Sequence, residues 1–209
     1  MITNISHPTY WDQHYVNGRA QWDLGHATPV FEVLLQQNHL QPGKMIVLGA
    51  GAGHDARLFA AAGFDVTAVD FSLSAVRLMH VLNKPQAEVT IMQADIFELP
   101  AELNGSFDYV LEYTCYCAID PAQRPAYYRL VDSLLQPGGQ YVALAFPVGN
   151  HTAGPPFAVD PQEMIAALTA HGLQLRRQER PANSVPARRD SEELIVMQKP
   201  AQEQAVSIQ

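Results

Sequence analysis

Short apolar runs alternate with amphipathic stretches along most of the chain, and this alternation predicts strands separated by helices. The apolar runs predict strands at Met45–Leu48, Phe64–Val69, Val89–Met92, Phe107–Leu111, Tyr141–Phe146, Leu173–Gln178 and Leu194–Gln198. Capping residues and apolar stripes predict helices from Thr28 to about Asn38, at Ala56–Ala62, from Ser72 or Ser74 to about Leu82, from Asp120 to the 136–139 segment, and from Asp160 to His171. This order is typical of a parallel sheet with helices on both faces.

The predicted elements form one domain of the α/β class, with a mostly parallel, doubly wound sheet of seven strands. A loop rather than a helix separates the last two strands, so we expect them to form an antiparallel hairpin at one edge. We predict that residues 1–199 form this single domain. It consists of an N-terminal lid and helix (1–40) and an α/β core (41–199), and a flexible tail (200–209) follows it.

Composition and charge narrow the class of protein. An apolar content of 47% in 209 residues suffices for a buried core, and a formal net charge of −8 disfavours binding to a nucleic-acid backbone. No apolar run is long enough to cross a bilayer, and no signal peptide is visible at the N-terminus. Two cysteines do not make a disulfide framework. We therefore expect a cytoplasmic monomer that binds a small molecule, and neither nucleic acid nor membrane.

A glycine-rich loop follows the first predicted strand, where ligands of such sheets bind. Gly49, Gly51 and Gly53 allow a sharp turn and a close approach of the backbone to a ligand. A dinucleotide site has its third glycine one residue later, where this chain has His54. The spacing therefore favours a nucleoside without phosphates, such as S-adenosylmethionine, over a nicotinamide cofactor. The alternative interpretation is a tight strand-to-helix turn that binds nothing.

Acidic residues follow the next two predicted strands. Asp70 is placed to accept hydrogen bonds from both hydroxyl groups of a ribose, or else to cap the following helix. Asp95 is placed to accept a hydrogen bond from the amino group of an adenine, with Ile96 and Phe97 as apolar walls beside the ring. Either acid alone is weak evidence, because acids in loops are usually solvated. Together with the glycine loop, the two acids predict S-adenosylmethionine as the cofactor.

Both cysteines, Cys115 and Cys117, lie in the segment 112–118, which we place at the carboxyl end of the fourth strand beside the glycine loop. A metal site needs further soft ligands, but the chain has no other cysteines and its histidines lack ligand spacing. A nucleophilic thiol needs a base, and none is adjacent in sequence. We therefore interpret the cysteines as packing residues in the wall of the site and predict no metal.

At this point the sequence resembles a known family, the small-molecule methyltransferases that include thiopurine S-methyltransferase and the halide, thiol and thiocyanate methyltransferases. The resemblance runs from about Tyr10 to Lys199. The segments that carry it are Trp11-Asp12, Trp22–Gly25, Ala27–Pro29, Gly49–Asp55, Tyr113, Cys117–Ile119, Arg124–Ala126, Pro137–Gly139, Gly154–Phe157 and Ser184–Arg189 with Glu192 and Leu194. It implies the Rossmann-like fold of class I methyltransferases, with an aromatic N-terminal lid.

The resemblance also implies roles for individual residues. Those implied to bind the cofactor are Trp11, Tyr15, Trp22, Gly49, Gly51, Gly53, Asp70, Phe71, Asp95, Ile96, Phe97, Glu112 and Tyr113. Those implied to contact the substrate are Tyr116, Cys117, Arg124 and Arg188. The implied catalytic residues are Tyr113, beside the methyl group, and Arg124, which faces the substrate and favours a thiolate over a thiol.

The resemblance implies methyl transfer from S-adenosylmethionine to a small soft nucleophile, namely a thiol or bisulfide, a halide or thiocyanate. Such nucleophiles need alignment with the methyl group rather than a general base. Within the same family, a thiopurine or a tellurium or selenium compound is the alternative substrate. A non-catalytic protein that binds S-adenosylmethionine is the alternative from another class, and a nicotinamide-dependent oxidoreductase is disfavoured by His54.

Overall fold

The computed structural model describes residues 4–85, 87–151 and 153–201, so most of the proposed tail, 202–209, lies outside the described residues. Its helices are α1 (Pro8–Val16), α2 (Pro29–Gln36), α3 (His54–Ala61), α4 (Leu73–Leu82), α5 (Arg124–Leu134) and α6 (Pro161–Ala170). Its strands are β1 (Lys44–Leu48), β2 (Asp65–Asp70), β3 (Thr90–Gln93), β4 (Phe107–Tyr113), β5 (Leu135–Ala145), β6 (Gln174–Glu179) and β7 (Glu193–Gln198). Strands and helices therefore alternate as predicted through most of the core.

The seven strands of the described chain form one sheet in the order β3-β2-β1-β4-β5-β7-β6. Strands β3, β2, β1, β4 and β5 pair in parallel, whereas β7 pairs antiparallel with both β5 and β6. The predicted α/β fold with an antiparallel hairpin at one edge is confirmed. Strand order reverses between β1 and β4, so the ligand crevice of such a sheet opens at the carboxyl ends of these two strands.

Side chains alternate between the two faces of the sheet and build an apolar layer on each. Met45 and Val47 of β1 belong to the layer that α2, α3 and α4 complete. Ile46 and Leu48 belong to the opposite layer, which α5 and α6 complete. Because both faces are covered, the strand ends form a rigid base on which the loops of a site can be placed.

The helix α1 was not predicted, because its sequence carries no apolar stripe that faces the core. None of its residues is fully buried, although Pro8 at its first position and the side chain of His7 mark a helix start. The sequence therefore predicted only an aromatic arm in this region.

The predicted boundaries of α5 were wrong at both ends. The segment Pro121–Gln123 is a 3-10 turn, and the α-helix begins only at Arg124. Pro125 lacks the N–H that would continue an α-helix from Pro121, which explains the later start. At the other end, β5 begins directly at Leu135, with a register shift against β4 that absorbs the glycines predicted to end the helix.

Candidate active site

A cavity of about 450 Å³ opens at the carboxyl ends of the parallel strands and is covered by the N-terminal arm. The predicted site residues that line it are Trp11, Tyr15, Trp22, Gly49, Gly51, Asp70, Phe71, Asp95, Ile96, Phe97, Cys117 and Arg188. The predicted site residues outside the lining are Gly53, Glu112, Tyr113, Tyr116 and Arg124. The lining also includes residues for which the sequence predicted no role, such as Tyr10, His14, Arg19, Thr114 and Phe146.

The glycine loop lies so close to other side chains that a Cβ does not fit at Gly49. A Cβ there would lie 2.6 Å from the sulfur of Cys115, and the φ of Gly49 is +61°. At Gly51, whose φ is +57°, a Cβ would lie 3.1 Å from the hydroxyl oxygen of Tyr15. Residues with a Cβ are strained in this left-handed region. Glycine therefore sets the shape of the loop and leaves its backbone open to the cavity.

Asp70 is buried at the carboxyl end of β2, and backbone groups engage both of its carboxylate oxygens. Oδ2 accepts a hydrogen bond from Gly51 N at 2.8 Å, and Oδ1 accepts one from Ser72 N at 2.9 Å. Burial raises the pKa of Asp70 to about 6, although the backbone donors oppose this shift. Because each oxygen has a second lone pair and the residue lines the cavity, Asp70 can accept further hydrogen bonds from a ligand.

Asp95 begins a 3-10 turn at Ile96–Glu98 on the next strand end. Its Oδ1 accepts a hydrogen bond from Phe97 N at 2.9 Å, which fixes the turn. The turn places Ile96 and Phe97 along the cavity wall, next to the carboxylate. An apolar slot with a carboxylate at its edge suits a flat ring that carries an amino group.

Aromatic rings of the N-terminal arm cover the cavity, in the position predicted for a lid. Trp11 and Trp22 meet edge to face, with ring centroids 5.3 Å apart, and Tyr15 meets Trp22 at 5.5 Å. The indole N–H of Trp22 donates a hydrogen bond to the hydroxyl oxygen of Tyr15 at 3.2 Å. These rings lie at the cavity rather than in the core, which explains why α1 has no fully buried residue.

Two acidic residues of the arm, neither of which was predicted to have a role, fasten it to the core. Asp12 Oδ1 accepts hydrogen bonds from Ser72 Oγ at 2.7 Å and from Ser74 N at 2.9 Å. The carboxylate of α1 therefore helps to cap α4, a helix that belongs to the core. Asp23 Oδ1 lies 3.1 Å from Nε2 of His54, the residue that follows the glycine loop.

Asp55 holds the start of α2 against the start of α3. Its two carboxylate oxygens accept hydrogen bonds from the N–H and the hydroxyl of Thr28, at 2.7 and 2.9 Å. Burial raises the pKa of Asp55 to about 6, and the Thr28 donors oppose the shift. Burial lowers the pKa of His54, with Asp23 acting in the opposite direction. His54 and Asp55 follow the glycines directly, and this pair is the sequence feature that marks the contacts with Asp23 and Thr28.

Both thiols lie in surroundings that do not suit a nucleophile. Burial raises the pKa of Cys115 and of Cys117 far above the ordinary value, and the neighbouring Glu112 acts in the same direction. The Sγ of Cys117 donates to the carbonyl oxygen of Thr114 at 3.4 Å. Within the described residues, no group of three or more His, Cys, Asp or Glu side chains could hold a metal ion. These surroundings agree with packing residues in a cavity wall.

Glu112 orders the turn that carries the cysteines. Its Oε1 accepts hydrogen bonds from Cys115 N at 3.0 Å and from Tyr116 N at 2.9 Å. Burial raises the pKa of Glu112 to about 7, and the two donors oppose the shift. The carboxylate points into the protein and not into the cavity. Its observed contacts shape the wall, and its predicted contact with the cofactor stays a prediction.

Arg124, which the resemblance implied to face the substrate, lies outside the cavity lining. The side chain is 8% exposed, and its Nη2 donates to the carbonyl oxygen of Ala158 at 2.8 Å. Its guanidinium carbon lies 4.6 Å from the ring centroid of Tyr116, whose hydroxyl shares a short hydrogen bond with that of Tyr128. The 3-10 turn before α5 sets where the helix begins, and the position of Arg124 at the helix start does not bring its side chain into the cavity lining.

Arg188 is the guanidinium that reaches the cavity from the C-terminal part of the chain. Its Nη1 donates to the hydroxyl oxygen of Tyr113 at 2.6 Å, and that hydroxyl donates to Glu192. Its Nη2 donates to the carbonyl oxygens of Gln21 at 3.3 Å and Trp22 at 3.2 Å. Arg188 therefore links the lid to β4. The hydroxyl of Tyr113 is engaged by these two charged side chains, and its implied place beside a methyl group stays a prediction.

The two ends of the cavity differ in charge. Asp70 and Asp95 lie at the ends of β2 and β3, whereas Arg188 packs 4.7 Å from the ring centroid of Phe146, just beyond β5. A ligand with hydroxyl and amino groups fits the acidic end, and an anion fits the basic end.

None of the helices in the described ranges combines the length and the apolarity that a membrane span requires.

A family model described as Thiopurine S-methyltransferase (TPMT) matches residues 6–203 of this chain. A curated relative named Thiocyanate methyltransferase 1, from Arabidopsis thaliana, is 31% identical over 188 residues, which cover 88% of this chain and 82% of the relative. A relative named Thiopurine S-methyltransferase, from Bordetella petrii, is 26% identical over 179 residues, which cover 78% of this chain and 81% of the relative.

Solved structures with low sequence identity share the fold. The Burkholderia thailandensis 1,6-didemethyltoxoflavin-N1-methyltransferase, with bound 1,6-didemethyltoxoflavin and S-adenosylhomocysteine, matches with a TM-score of 0.70 at 21% identity. The match covers 92% of this chain and 87% of that chain. The resemblance found in the motifs is confirmed: the chain belongs to the thiopurine S-methyltransferase family, a family of S-adenosylmethionine-dependent methyltransferases.

Proposed function

We propose that the protein transfers the methyl group of S-adenosylmethionine to a small soft nucleophile, namely a thiol or bisulfide, a halide or thiocyanate. The observation that carries the proposal is the position of Arg188. Its guanidinium lines the cavity at the end remote from Asp70, where the nucleophile would approach. The relative named a thiocyanate methyltransferase supports the same class of substrate.

The residues at the acidic end fit the cofactor. Gly49 and Gly51 line the cavity in conformations where a Cβ would press on Cys115 or Tyr15, so the methionine part can lie against the loop backbone. Asp70 has free lone pairs for the ribose hydroxyls, and Asp95 lies beside an apolar slot for the adenine. The aromatic arm covers this end and would exclude water from the sulfonium. When bound, the cofactor supplies an electrophilic methyl group.

A soft anion needs little chemistry from the protein beyond alignment. In-line attack on a held methyl group gains up to about 7–11 kcal/mol from proximity and orientation in the best intramolecular cases. Burial keeps Cys115 and Cys117 protonated, so the proposed reaction has no covalent intermediate on either thiol. For a thiol substrate, the charge of Arg188 favours the thiolate. The reaction is therefore a single displacement.

The size of the cavity favours a small nucleophile. Its volume of about 450 Å³ must hold the cofactor and the nucleophile together. A single drug-sized ligand already occupies a cavity of about 300–1,000 Å³. A monatomic or triatomic anion therefore fits beside the cofactor more easily than a two-ring heterocycle does.

A thiopurine is the second candidate substrate. The apolar residues Phe146, Pro155 and Pro156 line the cavity, and Phe146 packs against Arg188, which suits an aromatic ring. The family description and the Bordetella petrii relative support this candidate.

A substrate panel tests the proposal. The purified protein is incubated with S-adenosylmethionine and, separately, with iodide, thiocyanate, bisulfide, an aromatic thiol and a thiopurine. Methylated products are measured in the headspace or by chromatography, and S-adenosylhomocysteine is measured in parallel. We expect turnover with at least one small soft nucleophile, and a severalfold lower turnover in Arg188→Met.

Two outcomes contradict the proposal in different ways. Turnover with the thiopurine alone would make the second candidate the function. Tight binding of S-adenosylhomocysteine without product from any nucleophile would favour a non-catalytic binding protein.

A further inference from the structure

Glu192 is a buried carboxylate behind the basic end of the cavity, and neither its sequence position nor the reaction explains it. It is 1% exposed and precedes β7 directly. One of its oxygens accepts a hydrogen bond from the hydroxyl of Tyr113, and the same hydroxyl accepts one from Arg188 Nη1 at 2.6 Å. A carboxylate and a guanidinium therefore share one hydroxyl group between them.

This arrangement differs from a direct ion pair. Within the described ranges, no carboxylate oxygen lies within 4.0 Å of a nitrogen of Arg188. An arginine paired bidentately with a carboxylate has its charge balanced by direct contact with the opposite charge. Here Tyr113 keeps the two charges apart. The observed bonds of Arg188 use one donor to Tyr113 and two to the lid, so two of its five donors remain for a ligand in the cavity that the residue lines.

We propose that Glu192 is a positioning residue which, through the hydroxyl of Tyr113, holds Arg188 at the substrate end of the cavity with its charge available to an anionic nucleophile. The inference rests on the proposed function for the identity of the anion. Tyr113 acts in it as a spacer, accepting from Arg188 and donating to Glu192. Burial keeps the phenol protonated, because it raises the pKa of Tyr113 and Glu192 adds to the shift.

The spacer makes a specific prediction about two substitutions. Without the hydroxyl, in Tyr113→Phe, Arg188 and Glu192 are free to approach and pair directly, which withdraws the guanidinium from the cavity. Removing the negative charge as well, in Tyr113→Phe with Glu192→Gln, removes the reason for that movement. The double variant should therefore bind an anion better than the single variant does.

The test uses thiocyanate as the probe, titrated by calorimetry into the protein saturated with S-adenosylhomocysteine. We expect Tyr113→Phe to weaken thiocyanate binding about tenfold or more, the size of a lost charged hydrogen bond. Glu192→Gln in that background should recover only part of the lost affinity, because Arg188 then no longer pairs with Glu192 but is not held by it either. Glu192→Gln alone should weaken thiocyanate binding severalfold, because the hydroxyl of Tyr113 loses its charged acceptor. Tyr109→Phe is the matched control, because Tyr109 lies on the same strand and its hydroxyl accepts from Gln41 N at the far end.

Tryptophan emission gives a second readout that does not depend on the substrate. The chain has two tryptophans, Trp11 and Trp22, both in the lid. Arg188 Nη2 donates to the Trp22 carbonyl oxygen at 3.2 Å, so withdrawal of Arg188 should change the emission in Tyr113→Phe. The emission should return in the double variant.

The outcomes separate the two proposals. If the unsubstituted protein neither binds thiocyanate nor methylates any nucleophile, the proposed function fails, and the emission of the variants still decides the role of Glu192. If Tyr113→Phe weakens thiocyanate binding and the double variant is equally weak, Tyr113 contacts the anion itself and the positioning role is wrong. Unchanged emission and unchanged binding in Tyr113→Phe would also overturn it.

Discussion

The two ends of the cavity are built in different ways. At the ends of β1 and β2, the groups that face the ligand are the backbone of the glycine loop and the carboxylate of Asp70, which the N–H groups of Gly51 and Ser72 hold in place. Beyond β4 and β5, the wall is made of side chains from distant segments, such as Arg188, which lies 75 residues from its partner Tyr113. The first end suits a fixed ligand such as the cofactor. At the second end, a few side-chain substitutions can change which substrate fits without altering the fold.

The largest expected effect concerns the backbone of the first end. Gly49→Ala places a Cβ 2.6 Å from the sulfur of Cys115 and strains a φ of +61°. Strain of about 1–2 kcal/mol and overpacking of about 1–3 kcal/mol should lower the free energy of unfolding and weaken S-adenosylhomocysteine binding by a hundredfold or so. Urea unfolding and calorimetry measure both.

Gly18→Ala is the matched control for that substitution. Gly18 has a similar φ of +63°, but a Cβ there meets nothing within 4 Å. It should show the strain without the clash and leave cofactor affinity nearly unchanged. Equal losses in both variants would mean that the tight fit around Gly49 is unimportant.

The next effect concerns Asp70. Asp70→Asn keeps the shape of the side chain but removes the negative charge of the carboxylate, which is proposed to accept hydrogen bonds from the ribose hydroxyls. We expect S-adenosylhomocysteine binding to weaken by about 1.5–3 kcal/mol in calorimetry. Asp65→Asn, at the exposed start of the same strand, serves as the control and should bind normally. Unchanged affinity in a folded Asp70→Asn protein would place the ribose elsewhere.

The pH dependence should have opposite signs for binding and for stability. With a pKa of about 6, against 3.8 ordinarily, folded Asp70 holds more protons than the unfolded chain between these values. Its contribution to the free energy of unfolding therefore falls as pH rises through that window, by about 1.4 kcal/mol for each pH unit between the two pKa values. Affinity for S-adenosylhomocysteine should instead rise up to about tenfold from pH 5 to pH 7, as the carboxylate ionises.

Calorimetry and urea unfolding at the two pH values check both signs. Asp70→Asn should remove the trend in affinity. Part of the trend in stability should survive, because burial also raises the pKa values of Asp55 and Glu112. An affinity that depends on pH equally in the variant would contradict the assignment to Asp70.

A smaller and qualitative difference should separate Arg188, at the second end of the cavity, from Arg124, which lies outside the cavity lining. Arg188→Met should reduce thiol methylation severalfold, most strongly below the pKa of the thiol, where the charge decides how much thiolate forms. Arg124→Met should mainly lower the free energy of unfolding, by about 1–3 kcal/mol, because it leaves the Ala158 carbonyl without its donor. The reverse pattern in turnover and urea unfolding would restore Arg124 as the residue that faces the substrate.

The smallest effect should come from the cysteines. A double change of Cys115 and Cys117 to serine should leave turnover within about threefold, because buried thiols with raised pKa values serve only as packing. Steady-state rates with the best substrate measure this. Complete loss of turnover in a folded double variant, or stoichiometric metal in the purified protein, would show that the thiols have chemistry.

Sequence alone predicted the first end because its chemistry is local. Gly49, Gly51, Asp70 and Asp95 follow strand ends, and parallel strands bring those ends together in any such sheet. The helix α1 escaped prediction because its aromatic residues face a cavity and therefore give no core-facing period.

The second end could not be predicted from sequence, because its contacts join residues that are far apart along the chain. Asp12 meets Ser72 across 60 residues, and Glu192 meets Tyr113 across 79. Neither pair has a spacing that periodicity or capping rules could detect. Arg124 shows the related limit, since its position at the start of a helix was visible but the direction of its side chain was set by the 3-10 turn before it.

The carboxylate of Asp12 belongs to α1 and accepts hydrogen bonds at the start of α4, so it links the lid to the core. This link has a kinetic consequence. If α1 moves away from the core, Ser74 N loses its acceptor at 2.9 Å and is exposed to water. The hydrogen-exchange rate of the Ser74 amide therefore measures how often the lid opens, because this amide exchanges its hydrogen with solvent only while α1 is detached. Its exchange rate, read with and without S-adenosylhomocysteine, would report how often the product can leave.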